Sequence, residues 1–199
     1  MKDFWNNRYA KRKYAYGQAP NKFFKEILDR TIGDKILLPA DGEGRNAVYA
    51  ASKNWEVTAY DYSPEAKDKA LKLANQNGVS INFQLKGHED FDFTPATYDA
   101  VGLFYTHGTK EIKRNLHQEV ISTLKKGGIL MMEVFSKAQL LYNSGGPKNP
   151  DMLFSIAELY EDFEEQLNID VAKQKVIKLD EGTFHQGEAE VIRLVAYKK

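Results

Sequence analysis

The chain has no cysteine among its 199 residues. That one absence excludes disulfide frameworks, cysteine-ligated metal sites and a cysteine nucleophile. It names no compartment. An excess of either charge is also missing: 28 Lys and Arg stand against 28 Asp and Glu. The balance gives no electrostatic reason to expect nucleic acid, an acidic membrane surface or a polyanionic substrate. The four histidines are dispersed, with none in an HxxxH pair, so no metal site is expected. No apolar run is long enough to span a bilayer. The opening "MKDFWNNRYAKRKYAYG" lacks the apolar centre of a secretory leader. These absences lead to an expectation of a cytoplasmic protein, a monomer or weak homodimer, with a small-molecule partner and neither nucleic acid nor membrane.

What is present fits one domain over residues 1–199, with residues 1–22 as a polar, aromatic-dotted arm. "PNKFFKEILDRTIG" puts Phe23, Phe24, Ile27, Leu28 and Ile32 at helical spacing, stopped by Gly33. "KILLP" reads as a buried strand, "NAVYAASK" as a helix and "EVTAYD" as a second strand. In "SPEAKDKALKLANQNG", Ser63 fits an N-cap, Pro64 the first turn and Gly78 the stop. "INFQL" and "YDAVGLFY" continue as strands, "EIKRNLHQEVISTLKKGG" as a helix and "GILMMEVF" as a central strand. The last third holds a loop "LLYNSGGPKNPDML" and a helix around "SIAELYEDFEEQL". Two alternating segments then follow, joined by a long polar loop and expected to pair antiparallel. Alternating strands and helices indicate an α/β class with a mostly parallel, doubly covered sheet.

The loop after "KILL" is longer than a reversal needs and opens a helix. Gly42 and Gly44 let a ligand approach the backbone, and the following helix start offers unpaired N–H groups. The dinucleotide fingerprint fails, because Ala40 and Arg45 stand where two of its glycines belong. About twenty residues on, Asp61 ends the next strand, where a carboxylate can accept both hydroxyls of a ribose. Its alternative role is to help cap the helix that follows.

The spacing Ala40, Gly42, Gly44 resembles the G-x-G-x-G loop of class I S-adenosylmethionine-dependent methyltransferases. "EGRNAVYAA", "VTAYDYSPEAKDKA", "LKKGGILMMEVF" and "DEGTFHQGEAEVIRLVAYKK" resemble the tellurite-resistance and thiopurine-methyltransferase-like branch of that family. So does the opening segment, whose "W-x-x-R-Y…Y-G-x-x-P-N" pattern matches "FWNNRYAKRKYAYGQAPN". The resemblance implies a Rossmann-like, seven-stranded sheet of order 3-2-1-4-5-7-6 with an antiparallel last strand. It implies S-adenosylmethionine as cofactor, with Gly42, Gly44 and Asn46 along the methionine moiety and Asp61 and Tyr62 at the ribose and adenine. Ala40 stands where the branch has its first glycine, and Gly87 where it commonly has an aspartate beside the adenine. His88 and Glu89 are then the candidates for reading the base, and Phe104 closes the cofactor site from the end of the fourth strand.

Methyl transfer from a sulfonium is an in-line displacement, so a site for it must mainly align two atoms. Aromatic faces hold such a cation without a carboxylate. Trp5, Tyr9, Tyr14 and Tyr16 on the arm are candidates for a lid of this kind, or simply pack the arm down. A lid would protect the basic arm near Arg12 and Lys13 from proteolysis. His107 and His185 are the candidate catalytic residues, the first just past the fourth strand, the second between the last two strands. Each has a plain polar-surface alternative. With no evident base pair, the expected acceptor is a soft nucleophile such as a thiol, chalcogen or halide anion, which ionises by itself. Two other readings stay open: a module of the same fold that binds without turnover, and a nucleotide-linked oxidoreductase.

Overall fold

A computed structural model describes residues 2–11 and 13–199. Met1 and Arg12, both in the arm read as a lid, lie outside the described residues. The chain forms two compact units, residues up to 91 with 181–185, and residues 92–180 with 186–199. Its seven strands have the order β3-β2-β1-β4-β5-β7-β6. This is the Rossmann-like α/β architecture expected from the sequence.

In the first unit, β1 (Lys35–Pro39) pairs in parallel with β2 (Glu56–Asp61), and β2 with β3 (Asn82–Leu85). Ile36, Leu37 and Leu38 are all buried, as a strand covered on both faces requires. Helix α1 (Lys2–Tyr9) lies in the arm, α2 (Lys22–Leu28) precedes β1, α3 (Arg45–Ser52) follows the glycine loop and α4 (Pro64–Gln76) follows β2. The Ser63 hydroxyl accepts the Ala66 amide at 3.3 Å and Pro64 opens the first turn of α4. Helix α2 is shorter than its apolar spacing suggested. Arg30 and Thr31 donate to carbonyls three residues back, tightening the last turn. The chain leaves the helix there, and Ile32, expected on its buried face, is fully exposed.

In the second unit, β4 (Tyr98–Phe104) is parallel to β5 (Leu124–Phe135), and β5 is antiparallel to β7 (His185–Lys198). Helix α5 (Lys110–Thr123) precedes β5, and α6 (Ile156–Phe163) precedes β6 (Leu167–Glu181). "LKKGG", expected to end the helix, belongs to β5 instead. Leu124 already pairs with Tyr98, and a register shift follows, with Gly127 at φ 77° inside the irregularity. The long polar loop expected before β7 shrinks to Gly182–Phe184, because both flanking strands extend into it.

No helix among the described residues is long and apolar enough to cross a membrane. Nor do any three of their His, Asp and Glu side chains group closely enough to hold a metal ion.

Candidate functional site

The chain leaves β1 in a wound loop. Ala40, Gly42 and Gly44 have φ of 50°, 57° and 82°. For Ala40 this left-handed conformation costs on the order of 1 kcal/mol, which glycine would avoid. Asp41 closes the loop from within: its carboxylate accepts the Ala47 amide of α3 at 3.0 Å, and its carbonyl accepts the Gly44 amide at 3.2 Å. The Gly42 amide reaches across to Asp61, donating to Oδ2 at 3.2 Å, while Oδ1 accepts the Ser63 amide at 2.9 Å. A carboxylate offers about four lone-pair positions. With the Tyr62 amide also acting on the carboxylate, about one position is left to accept another donor, such as a hydroxyl.

Asp61 thus does two jobs. It ties the glycine loop to the start of α4, and it keeps acceptor capacity beside that loop. Burial pushes its carboxyl up to about 6 against the pull of the Ser63, Gly42 and Tyr62 amides. Burial also raises Asp41, to about 7. The Tyr62 phenol is raised by burial and then by the neighbouring Asp61.

The arm folds onto this loop. A Cβ on Gly42 would stand 2.7 Å from the Tyr9 hydroxyl, so the phenol occupies the space that glycine leaves. Burial, then the Asp61 charge, raises the Tyr9 phenol well above its ordinary value and keeps it protonated. Trp5 stacks on Tyr9 with ring centroids 5.5 Å apart, and Tyr9 packs with Ala15 and Ala66. Tyr16 lies in the same cluster, its hydroxyl accepting from Arg8 at 2.7 Å. Of the arm's rings, Tyr9 rather than Trp5 or Tyr16 meets the glycine.

Two buried carboxylates hold the arm in place. Glu43, between the two glycines, accepts the Ala15 amide at 2.6 Å and the Lys69 ammonium at 2.7 Å. Lys69 also donates to the carbonyls of Lys11 and Lys13. Arg45 donates to the Tyr16 carbonyl at 3.2 Å and to Glu181 at 3.0 Å. Glu181 further accepts from Asn21 and from His185 Nδ1, both at 3.3 Å. Burial alone would raise the Glu181 carboxyl, but His185 and Arg45 outweigh it and hold it down to about 2. Burial lowers His185 despite Glu181 beside it. A neutral imidazole donating Nδ1–H to a carboxylate paired with Arg45 satisfies both. The His185 ring lies 4.4 Å from that of Tyr16.

Asn46 and Gly44 are engaged by packing. Asn46 Oδ1 accepts the Asn21 amide at 2.9 Å, and the Asn21 side chain in turn caps α2. A Cβ on Gly44 would stand 2.5 Å from that of Ala70 on α4. At the end of β3, Gly87 is buried, and His88 bonds the Tyr60 hydroxyl through Nδ1 at 2.8 Å. Glu43, Arg45, Asn21 and Glu181 were not singled out as site residues from the sequence, whereas Tyr9 was named among the rings of the arm. The signal for them was the polar residues flanking each glycine and the Pro-Asn before α2.

The second unit holds Phe104, half-buried at the end of β4, and His107 three residues on. The His107 ring stacks on Phe135 at 5.6 Å and its Nδ1 lies 3.2 Å from the Met152 carbonyl. His117 is buried against Asp162 at 2.7 Å.

Residues 36–128, which span the glycine loop, Asp61 and β4, match a family described as a methyltransferase domain. The match covers a little under half of the chain. The tRNA 5-carboxymethoxyuridine methyltransferase of Escherichia coli (strain K12) is 27% identical over 150 residues, 71% of this chain and 56% of the relative. The chain thus spans about half the length of the curated relatives it matches. Among solved structures, the N-methyltransferase NodS from Bradyrhizobium japonicum WM9, in complex with S-adenosyl-L-homocysteine, aligns with a TM-score of 0.71 at 14% identity. That alignment covers 99% of this chain and 97% of NodS. A protein described with the conversion of a disulfide bond into a thioacetal group during echinomycin biosynthesis aligns at 0.77 and 17% identity, over 100% and 92% of the two chains. The chain therefore has the fold that those proteins share.

Proposed function

We propose that the chain is an S-adenosylmethionine-dependent methyltransferase of the tellurite-resistance and thiopurine-methyltransferase-like branch, acting on a small, soft nucleophile. The observation that carries the reading is the Gly42–Asp61 pair. A glycine whose amide is tied to a carboxylate that keeps acceptor capacity, and a covering phenol, lie together after β1, where open α/β sheets take ligands. A ribose hydroxyl donates to Asp61. Gly42 lines the methionine moiety together with Ala40, Gly44 and Asn46, the last two acting through the packing that shapes the loop. Tyr62, Gly87, His88 and Glu89 line the base. Trp5 and Tyr16 brace Tyr9, whose ring covers the sulfonium end.

The Asp61 carboxylate, ionised above about pH 6, suits a cation whose charge disappears on transfer. With S-adenosylmethionine bound, a nucleophile in line with the S–CH3 bond takes the methyl group and S-adenosylhomocysteine leaves. The protein's task is to align and to exclude water. His185, in the first unit with the glycine loop, orients the acceptor or tunes its ionisation rather than serving as an obligatory base, since a thiol with pKa near 8.5 supplies its own anion.

One finding favours a second reading. The Escherichia coli relative acts on tRNA, so an RNA acceptor is the alternative, against which stands the balanced charge of this chain. Calorimetry with S-adenosylmethionine, S-adenosylhomocysteine and NAD tests the cofactor. Binding of the first two and not of NAD is expected. Binding of NAD alone would return the chain to the oxidoreductases.

A further inference from the structure

Lys113, near the start of α5, is buried, where a lysine on a helix surface would usually run its stem out to water. Its ammonium donates to the Leu153 carbonyl at 2.7 Å and stands 4.2 Å over the Phe154 ring. No carboxylate lies within 4 Å of it among the described residues. The charged groups that act on it from further off are Glu158, Lys137, Asp162 and Asp151. Most of these are already engaged. Glu158 accepts from Lys137 at 2.7 Å and from the Ser155 amide at 2.8 Å, Asp162 is bonded to His117 at 2.7 Å, and Asp151 is exposed. An ammonium has three donors, so two on Lys113 have no protein acceptor.

Ser136 brings a hydroxyl to the same ring. It follows β5 and pairs with Phe154 in a single parallel bridge. The Phe154 amide donates to the Phe135 carbonyl at 3.1 Å, and the Lys137 amide to the Phe154 carbonyl at 3.0 Å. Directly paired residues put their side chains on one face, so the Ser136 hydroxyl lies on the face that carries the Phe154 ring. This Oγ is buried and has no hydrogen-bond partner. The Thr106 hydroxyl, just past β4, is buried and unpartnered in the same way. Beside it, the His107 ring lies 6.2 Å from that of Phe154. Because β4 and β5 are parallel neighbours, both hydroxyls stand at the carboxyl ends of adjacent strands, where such sheets take ligands. Buried polar groups without a partner are rare in native folds and call for an occupant.

We infer that the second unit binds a small monovalent anion beside the Phe154 ring, held by the Lys113 ammonium and the Ser136 hydroxyl, with the Thr106 hydroxyl as a third donor. All three groups can donate and one is a cation, so an anion satisfies them together. A water molecule would satisfy the hydroxyls and leave the buried charge unmatched. Lys137 is already paired with Glu158, which leaves one cation and limits the ligand to one charge. A halide and a small carboxylate share this chemistry. The inference is independent of the cofactor reading, since every residue in it belongs to the second unit.

The test is calorimetry on the full chain at pH 7.5 with sodium bromide and sodium formate, at an ionic strength held constant with sodium gluconate. The wild type should bind at least one of the two saturably, one to one, with half-saturation below about 10 mM. Bromide alone would mark a spherical site, and formate a site for a carboxylate. Lys113→Met should weaken that binding by about tenfold or more, and Ser136→Ala by about threefold or more. Ser136→Ala should do so at an unchanged melting temperature in anion-free buffer, because the hydroxyl it removes has no protein partner. A wild type that binds neither anion saturably overturns the inference and leaves the cofactor reading standing. Undiminished binding in Ser136→Ala overturns it as well, whether or not Lys113→Met folds.

Discussion

Replacing Asp61 with alanine removes the carboxylate proposed to accept the ribose and, with it, the tie to the Gly42 amide. A hydrogen bond to a charged acceptor contributes about 1.5–3 kcal/mol, so the loss of even one weakens binding about tenfold or more. The acceptor must be ionised, and in the unliganded protein burial holds it at about 6. Affinity for S-adenosylhomocysteine should therefore be flat above pH 7 and fall by about tenfold per unit below pH 6. The stability of the unliganded fold runs the other way. Because the folded pKa lies above the unfolded one, the fold binds a proton that the unfolded chain has released. This contribution favours the fold at low pH and is lost as pH rises through about 6. Asp41, held at about 7, titrates in the same window. The Asp61→Ala variant removes the Asp61 share and leaves that of Asp41 and of the other buried groups, His88, His185 and Glu43. Calorimetric titrations of both proteins from pH 5 to 8 supply the comparison. Unchanged affinity in Asp61→Ala, or a flat wild-type profile, refutes the ribose role.

Trypsin should cut the arm near Lys11 and Lys13 more slowly once S-adenosylhomocysteine is bound, because Tyr9 covers Gly42 and the arm closes with it. Lys69→Met should speed cutting without ligand by removing the bonds to both carbonyls, and equal rates in all three cases would argue against a lid. Gly44→Ala should destabilise the fold by about 1–3 kcal/mol in chemical denaturation, since its Cβ would collide with Ala70 at φ 82°. A change under about 0.5 kcal/mol would mean that α3 and α4 separate more easily than their packing indicates. Among acceptor thiols of graded pKa, His185→Ala should slow turnover without abolishing it. A His indispensable at every pH would instead make that residue the general base.

The alternation of apolar strands with capped helices made the parallel sheet legible, because Ile36–Leu38 and the Ser63–Pro64 start of α4 encode their structure locally. The glycine loop and Asp61 were legible for the same reason: both lie at strand ends, about twenty residues apart. What fills the space beside each glycine was not. Gly42 faces Tyr9 and Gly44 faces Ala70, contacts set by how α1 and α4 dock rather than by neighbours in sequence. Arg45 and Glu181 meet across 136 positions, and no local pattern announces such a pair. The end of α5 was misplaced because the sheet overrides helical propensity, drawing Leu124 into pairing with Tyr98.

The central claim is methyl transfer to a small soft nucleophile, and the measurement that tests it most directly is mass-spectrometric conversion of S-adenosylmethionine to S-adenosylhomocysteine. The full chain would be incubated at pH 7.5 with thiols, chalcogen or halide anions, small amines and alcohols, or bulk tRNA, each alone. The account predicts conversion with at least one soft nucleophile, recovery of the methylated acceptor, and a decrease in both for Asp61→Ala at limiting S-adenosylmethionine. Conversion with tRNA only, with amines or alcohols only, or with no acceptor despite bound cofactor, would contradict it.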